Sequence, residues 1–258
     1  MLTTYNYTIK SWTQRFNNEL IDVKKLDIHS SWEPFFNENQ KEIDKINDFL
    51  NKQENKDNTF PYPDLIYNAL NTVPLNEIKV VILGQDPYHN FISDKIPQAM
   101  GLSFSIPTGP IGSNIPSSLK NIYKNLYQHK EISFLPKYGN LQLWAYQGCL
   151  LLNTALTVYH NKPNSHSNIW KLFTCKLIEY ISDNCDNVVF VLWGAPALNK
   201  RLLIDEDKHK IIISSHPSGL SYNKPLQQYS AFSEQNHFKL INDYLATKGK
   251  EKIMWQIA

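Results

Sequence analysis

Apolar positions along the chain fall into two rhythms. Continuous runs at residues 79–83, 149–152, 188–193 and 210–214 are rich in Val, Ile and Leu, the pattern of strands buried on both faces. Between them apolar residues recur every three or four positions. "SSLKNIYKNLYQH" places Leu119, Ile122, Tyr123, Leu126 and Tyr127 on one helical face, with serines where an N-cap belongs. "NIWKLFTCKLIEYI" does the same with Trp170, Phe173, Leu177, Ile178 and Ile181. "PALNKRLL", opening on Pro196, and "SEQNHFKLINDYLA" complete the helical set. Strands alternating with helices predict an α/β protein: a three-layer α/β/α sandwich around a central four-stranded, mostly parallel sheet.

The strand ends carry the chemistry. The four runs give way to "GQDPYH", Asn153, "GAPA" and "SHPSGLS". Ligands of open parallel sheets bind beyond the carboxyl ends of the strands, so these segments are expected to meet at one site. A connecting turn needs a glycine and at most a proline, not an amide, a carboxylate, a phenol and an imidazole within five positions.

Composition narrows the field. With 258 residues and 42% hydrophobic side chains the chain can bury a sizeable core. "NKQENKDN", residues 51–58, reads as a mobile polar loop, which suggests a helical extension over residues 1–58 and a main body over 59–258. A formal net charge of +2 does not announce a nucleic-acid binder, so any such surface has to be local. Three cysteines with no paired ligand spacing suggest neither a disulfide framework nor a zinc site. No signal pattern or membrane-spanning run is present. The expectation is an intracellular chain, in cytoplasm or nucleus, that is not secreted, has no membrane partner and is a monomer.

Asp86, Asn153 and His216 form a chemically complete set. A carboxylate can orient water or stabilise a developing cation, an amide reads donors and acceptors, and an imidazole can donate to a developing anion. Tyr88 and Phe104 would shape a pocket for a flat polar ring. Ser117 and Ser118 before one helix, Gly194 and Ala195 before another, and Ser218 and Ser221 around Leu220 suit phosphates, while Leu220 is placed to wedge between bases.

"GQDPYH", "GLSFS", "LLLNTALTV", "LWGAPA" and "HPSGLS", in this order, resemble the five motifs of the family 1 uracil-DNA glycosylases. The likeness runs from about Pro61 to Trp255 and includes "NSH" at residues 164–166. It implies a metal-free, cofactor-free repair enzyme that flips deoxyuridine out of single- or double-stranded DNA and hydrolyses its N-glycosidic bond. Asp86 then corresponds to the catalytic carboxylate and His216 to the neutral histidine that donates to the departing base. Asn153 reads the uracil edge, Phe104 stacks on it, Gln85 frames the pocket, His89 lies near the attacking water, and Tyr88 walls off the C5 position. Pro116, Ser118, Gly194, Ala195, Ser218, Leu220 and Ser221 become the DNA contacts. A proteinaceous inhibitor and replication proteins are the further partners the family suggests.

The chain departs from that pattern in places. Ser117 and Gly219 stand where proline is usual, Ala195 stands where serine is common, and the loop over residues 90–97 is longer than the usual linker. A DNA-binding accessory module with lost catalysis is the rival reading, against which the intact Asp86, Tyr88, Asn153 and His216 argue. A zinc deaminase would need a P-C-x-x-C pair, and a nucleotide-cofactor enzyme a glycine-rich phosphate loop; neither is present.

Overall fold

The computed structural model describes residues 9–17, 19–93, 96–107 and 115–257. Residues 1–8 and 18 of the expected N-terminal extension, and residues 94, 95, 108–114 and 258 of the expected main body, the first two within the long 90–97 loop, lie outside them. The strands are β1 (Thr59–Phe60), β2 (Val80–Gly84), β3 (Phe91–Ser93), β4 (Ile96–Pro97), β5 (Cys149–Asn153), β6 (Val158–Tyr159), β7 (Val189–Trp193) and β8 (Lys210–Ser214). The helices are α1 (Trp12–Phe16), α2 (Glu33–Glu38), α3 (Gln40–Asn51), α4 (Asn68–Thr72), α5 (Ser117–Gln128), α6 (Gln142–Ala145), α7 (Ser167–Asn184), α8 (Ala195–Leu198) and α9 (His237–Thr247).

The four apolar runs form one parallel sheet in the order β5-β2-β7-β8. Every residue of β2, β5 and β7 is buried, which is why these strands read as unbroken apolar runs instead of alternating. The chain leaves β2 for β5 on one side and then crosses to β7 on the other. Right-handed crossovers therefore place the connecting helices on opposite faces. On one face α7 packs against α2, with Phe35 and Phe173 ring centroids 5.2 Å apart. On the other, Trp144 of α6 lies 6.0 Å from Phe238 of α9. The reversal of winding lies between β2 and β7, where a doubly wound sheet opens a crevice at its carboxyl edge.

Helix faces follow the sequence with local corrections. α7 buries Trp170, Phe173, Leu177, Ile178 and Ile181. α5 buries Leu119, Ile122, Tyr123 and Leu126, but Tyr127 is 50% exposed. At 3.6 residues per turn Tyr127 sits about 80° from the centre of that face, on its margin. Pro116, not a serine, occupies the N-cap of α5, so Ser117 and Ser118 are the first two helical residues and make no side-chain cap. α8 begins at Ala195, one residue ahead of Pro196, and stops after one turn, followed by a short 3-10 turn at Arg201–Leu203. α9 starts at His237, where Asn236 caps the N–H of Lys239.

The polar 51–58 stretch is not a free loop. Asp57 accepts from the backbone N–H of Thr13 at 2.8 Å, and Lys56–Asn58 forms a 3-10 turn leading into β1, which pairs antiparallel with β6. Trp12 Nε1 donates to Thr59 O at 2.8 Å, and Trp12, Trp32 and Ile43 belong to the same hydrophobic cluster as the sheet. The long 90–97 segment contains the β3–β4 pair, with Phe91 packed 4.7 Å from Phe60. Among the described residues no helix is long and apolar enough to cross a membrane.

Candidate active site

β2 delivers Gln85 and Asp86, and β5 delivers Asn153 beside them. Gly84 pairs with Asn153, and the ladder continues past both strands: Thr154 N donates to Gly84 O at 3.0 Å and Ala155 N to Gln85 O at 2.9 Å. The approach requires glycine. A Cβ at residue 84 would overlap Asn153 Oδ1 and lie 2.7 Å from Ser103 Cβ. Asn153 is only 7% exposed, and its amide makes no hydrogen bond with another described residue. The residue lines a cavity, so its amide is available to whatever enters there.

Asp86 is half-buried, and the N–H of Asn164 donates to its Oδ2 at 2.7 Å. Asn164 adopts a left-handed conformation, φ 63°, and its side-chain oxygen accepts from Gln85 Nε2. Burial pushes the Asp86 carboxyl above its ordinary range, outweighing the Asn164 N–H and the nearby His89, which both pull it down.

β8 ends at Ser214, two residues before His216. The N–H of Ser218 donates to His216 Nδ1 at 3.1 Å. A nitrogen that accepts carries no proton, so the neutral ring bears its hydrogen on Nε2. Burial holds the imidazole below its usual pKa, which favours that neutral form. Gly194, with φ 88°, lets β7 pass close by: a Cβ there would lie 3.0 Å from that of His216.

Phe104 is a non-glycine residue at φ 62°, a conformation that costs about 1–3 kcal/mol. Its ring lies 5.9 Å from the His216 ring and 5.6 Å, edge-on, from Trp193. Across from it Tyr88 donates to Phe104 O at 3.3 Å, and burial raises the phenol's pKa, keeping it a donor.

These groups line one cavity of about 230 Å³: Gln85, Asp86, Tyr88 and His89 on one side, Phe104, Asn153 and His216 on the others, with Ser118 at its wall. A second groove of about 600 Å³ adjoins it, sharing Gly84, Gln85 and His216, and is lined by Gly194, Ala195, Ser218, Ser221 and Lys224. Leu220 stands 83% exposed on the turn between Ser218 and Ser221, closed by Ser221 N donating to Ser218 O at 3.0 Å. Pro116 and Leu220 line neither cavity. Among the described residues no cluster of three or more His, Cys, Asp or Glu side chains could hold a metal ion.

Two contributors carry no role in the sequence pattern: Asn164, and the Ser218 N–H beneath His216. The available signal was the asparagine in "KPNSH", a residue type that tolerates left-handed backbone.

Comparison with known proteins agrees with this geometry. The family model for the uracil DNA glycosylase superfamily matches residues 70–246. The uracil-DNA glycosylase of Pseudomonas paraeruginosa is 41% identical over 240 residues, covering 90% of this chain and 96% of that protein. The crystal structure of mimivirus uracil-DNA glycosylase superposes with a TM-score of 0.90 at 36% identity, over 98% of this chain and 96% of that one. A variant of the mimivirus protein, solved in complex with UGI, superposes equally well, with a TM-score of 0.90. With most of its length matched by the family model, and with catalytic-type groups gathered at the carboxyl edge of the sheet, the chain belongs to the uracil-DNA glycosylase superfamily.

Proposed function

We propose that this protein excises uracil from DNA, hydrolysing the N-glycosidic bond of a flipped deoxyuridine and leaving an abasic site, with Asp86 and His216 as its catalytic residues. One observation carries the reading: Asp86, Asn153 and an Nε2–H His216 line the same small cavity. As the C1′–N1 bond breaks, its electron pair moves onto the base. The His216 Nε2–H donates to the base carbonyl where that charge gathers, in the manner of a preorganised oxyanion donor. The Asp86 carboxylate faces the cationic sugar, orients the water that adds to C1′ and accepts its proton. His89 flanks that water. Asn153 pairs with the uracil edge and would present the wrong donor pattern to cytosine. Phe104 stacks on the base, Gln85 frames the mouth, and Tyr88 occupies the space a thymine methyl would need.

The adjoining groove takes the DNA backbone. The hydroxyls of Ser118, Ser218 and Ser221 and the main-chain N–H of Ala195 supply donors to phosphate, Gly194 and Pro116 border the path of the backbone without donating to it, and Leu220 fills the stack left by the extruded base. Both single- and double-stranded uracil DNA are substrates, and a proteinaceous inhibitor of the kind represented by UGI is a candidate partner. The catalytic unit is assigned from residue 59 onward, with the described helices that precede it, α1 to α3, packed upon it.

The test is incubation with uracil- and thymine-containing oligonucleotides in chelator, followed by alkaline cleavage. Only the uracil strand is expected to break. Asp86→Asn and His216→Leu should each lower the rate by about 10²–10³-fold. Parent-like uracil release by both variants would overturn the mechanism.

A further inference from the structure

We propose that Asn121 is a positioning residue for His216, acting through the Pro217–Ser218 peptide group to hold the imidazole in its Nε2–H form. This rests on His216 being the donor to the departing base. Asn121 Nδ2 donates to Pro217 O at 2.7 Å. The N–H of the same peptide group donates to His216 Nδ1 at 3.1 Å. A trans peptide is planar with its C=O and N–H on opposite sides, so fixing one end aims the other. Drawing on the oxygen also polarises the N–H, strengthening its bond to the ring.

The local sequence leaves this peptide in need of a hold. The Pro217 ring fixes its own φ, so the orientation of the following peptide turns on the ψ of Pro217 and on Ser218. Beyond Ser218 comes Gly219, around which a Cβ would meet nothing within 4 Å. The far foot of the turn is pinned separately: Ser215 Oγ donates to Ser221 O at 2.9 Å while accepting from Phe232 N at 2.8 Å. Near His216, the side chain that reaches the peptide is Asn121.

α5 is built to supply it. Asparagine is a poor residue for a helix interior, yet Ser118, Asn121 and Asn125 follow at i, i+3 and i+7 on one face. Ser118 reaches the cavity, Asn121 the peptide beneath His216, and Asn125 donates to Phe232 O and Gln235 O, each at 3.1 Å. The stripe ties the helix that opens at the site to the segment carrying the histidine. A purely adhesive role would leave the ring's proton where it is.

The experiment combines ring-nitrogen NMR of His216 with steady-state kinetics on a single-stranded uracil oligonucleotide. In the parent, Nδ1 should show the shift of an unprotonated nitrogen. Asn121→Leu, with the same branched shape but without a donor, should mix the two tautomers and lower kcat roughly tenfold, with KM changed less than about twofold. Asn121→Gln, which keeps an amide donor, should recover part of both; Asn121→Ala is read by the same criteria if the leucine variant does not fold. A donor-less variant with the parent's tautomer, or one that raises KM at unchanged kcat, overturns the positioning role. Failure of the parent to release uracil would overturn the glycosylase reading instead, and the ring-nitrogen shifts would still decide what Asn121 does.

Discussion

The main-chain N–H of Asn164 meets Asp86 Oδ2 at 2.7 Å, joining two residues 78 positions apart. That bond favours the ionised carboxylate and fixes its rotation, leaving the other oxygen for the cavity. It does not cancel the cost of burial, which keeps the carboxyl above its ordinary range. Asp86 is therefore a charge held where water would hold it better.

Stability should improve when that charge is removed. A carboxyl whose folded pKa exceeds its unfolded value costs nothing below the unfolded pKa, and the cost is fully present once pH has risen past the folded one. Asp86→Asn should thus raise the melting temperature at pH 7.5 while nearly abolishing uracil release. The gain should vanish as pH falls below about 4. A lower melting temperature at pH 7.5, followed by calorimetry across that range, would contradict this.

Acid should destabilise the fold well before its carboxylates protonate. His166 and His237 are almost fully buried, and burial pushes them down to about 4 and about 3, with His216 lowered too. Each folded pKa lies below the unfolded value near 6.5, so between those limits the unfolded state binds more protons and stability falls with pH. The slope should approach about 1.4 kcal/mol per pH unit for each such histidine. Urea titrations between pH 7 and 4.5 measure it; a flat profile would show that these rings protonate in place.

Thymine rejection is expected to depend on the Tyr88 ring. A hydrophobic pocket separates ligands differing by one methyl by only ~1–3 kcal/mol, so exclusion needs a clash. Tyr88→Ala should cut thymine-containing oligonucleotides, at a rate below that for uracil. Continued complete rejection would place the barrier elsewhere.

Leu220 is 83% exposed, so its loss removes little buried surface. Leu220→Ala should therefore melt like the parent and act normally on single-stranded uracil, while losing roughly tenfold or more on duplex, where a vacated stack must be filled. Equal losses on both substrates would count against the wedge.

Much of this was legible in the chain. The central strands appear within about a residue of their observed ends, because a strand buried on both faces has no polar positions to blur it. The pocket residues were legible because strand ends converge by topology, which brings Asp86, Asn153 and His216 together without knowledge of any loop. What could not be read lies in short or non-local pieces. β3 and β4 are too short for a period, and Asp57 gives no sign of the backbone N–H of Thr13 that holds it. Tyr127 and the α5 serines were misplaced because periodicity fixes a face but not its margin or its first residue. Asn164 bonds Asp86 through its own main-chain N–H and Asn121 bonds the main-chain oxygen of Pro217, across 78 and 96 positions, and a main-chain partner leaves no mark on the sequence.

The missing side chain at Gly84 bears on any attempt to retune this enzyme for another base. With Asn153 and Ser103 already crowding that point, the strand floor has no capacity for a new recognition group, since even alanine would push the amide aside. With Tyr88 and Asn153 in the base-reading roles proposed for them, libraries seeking altered selectivity belong at positions 88 and 153, over a platform that should be left as it is.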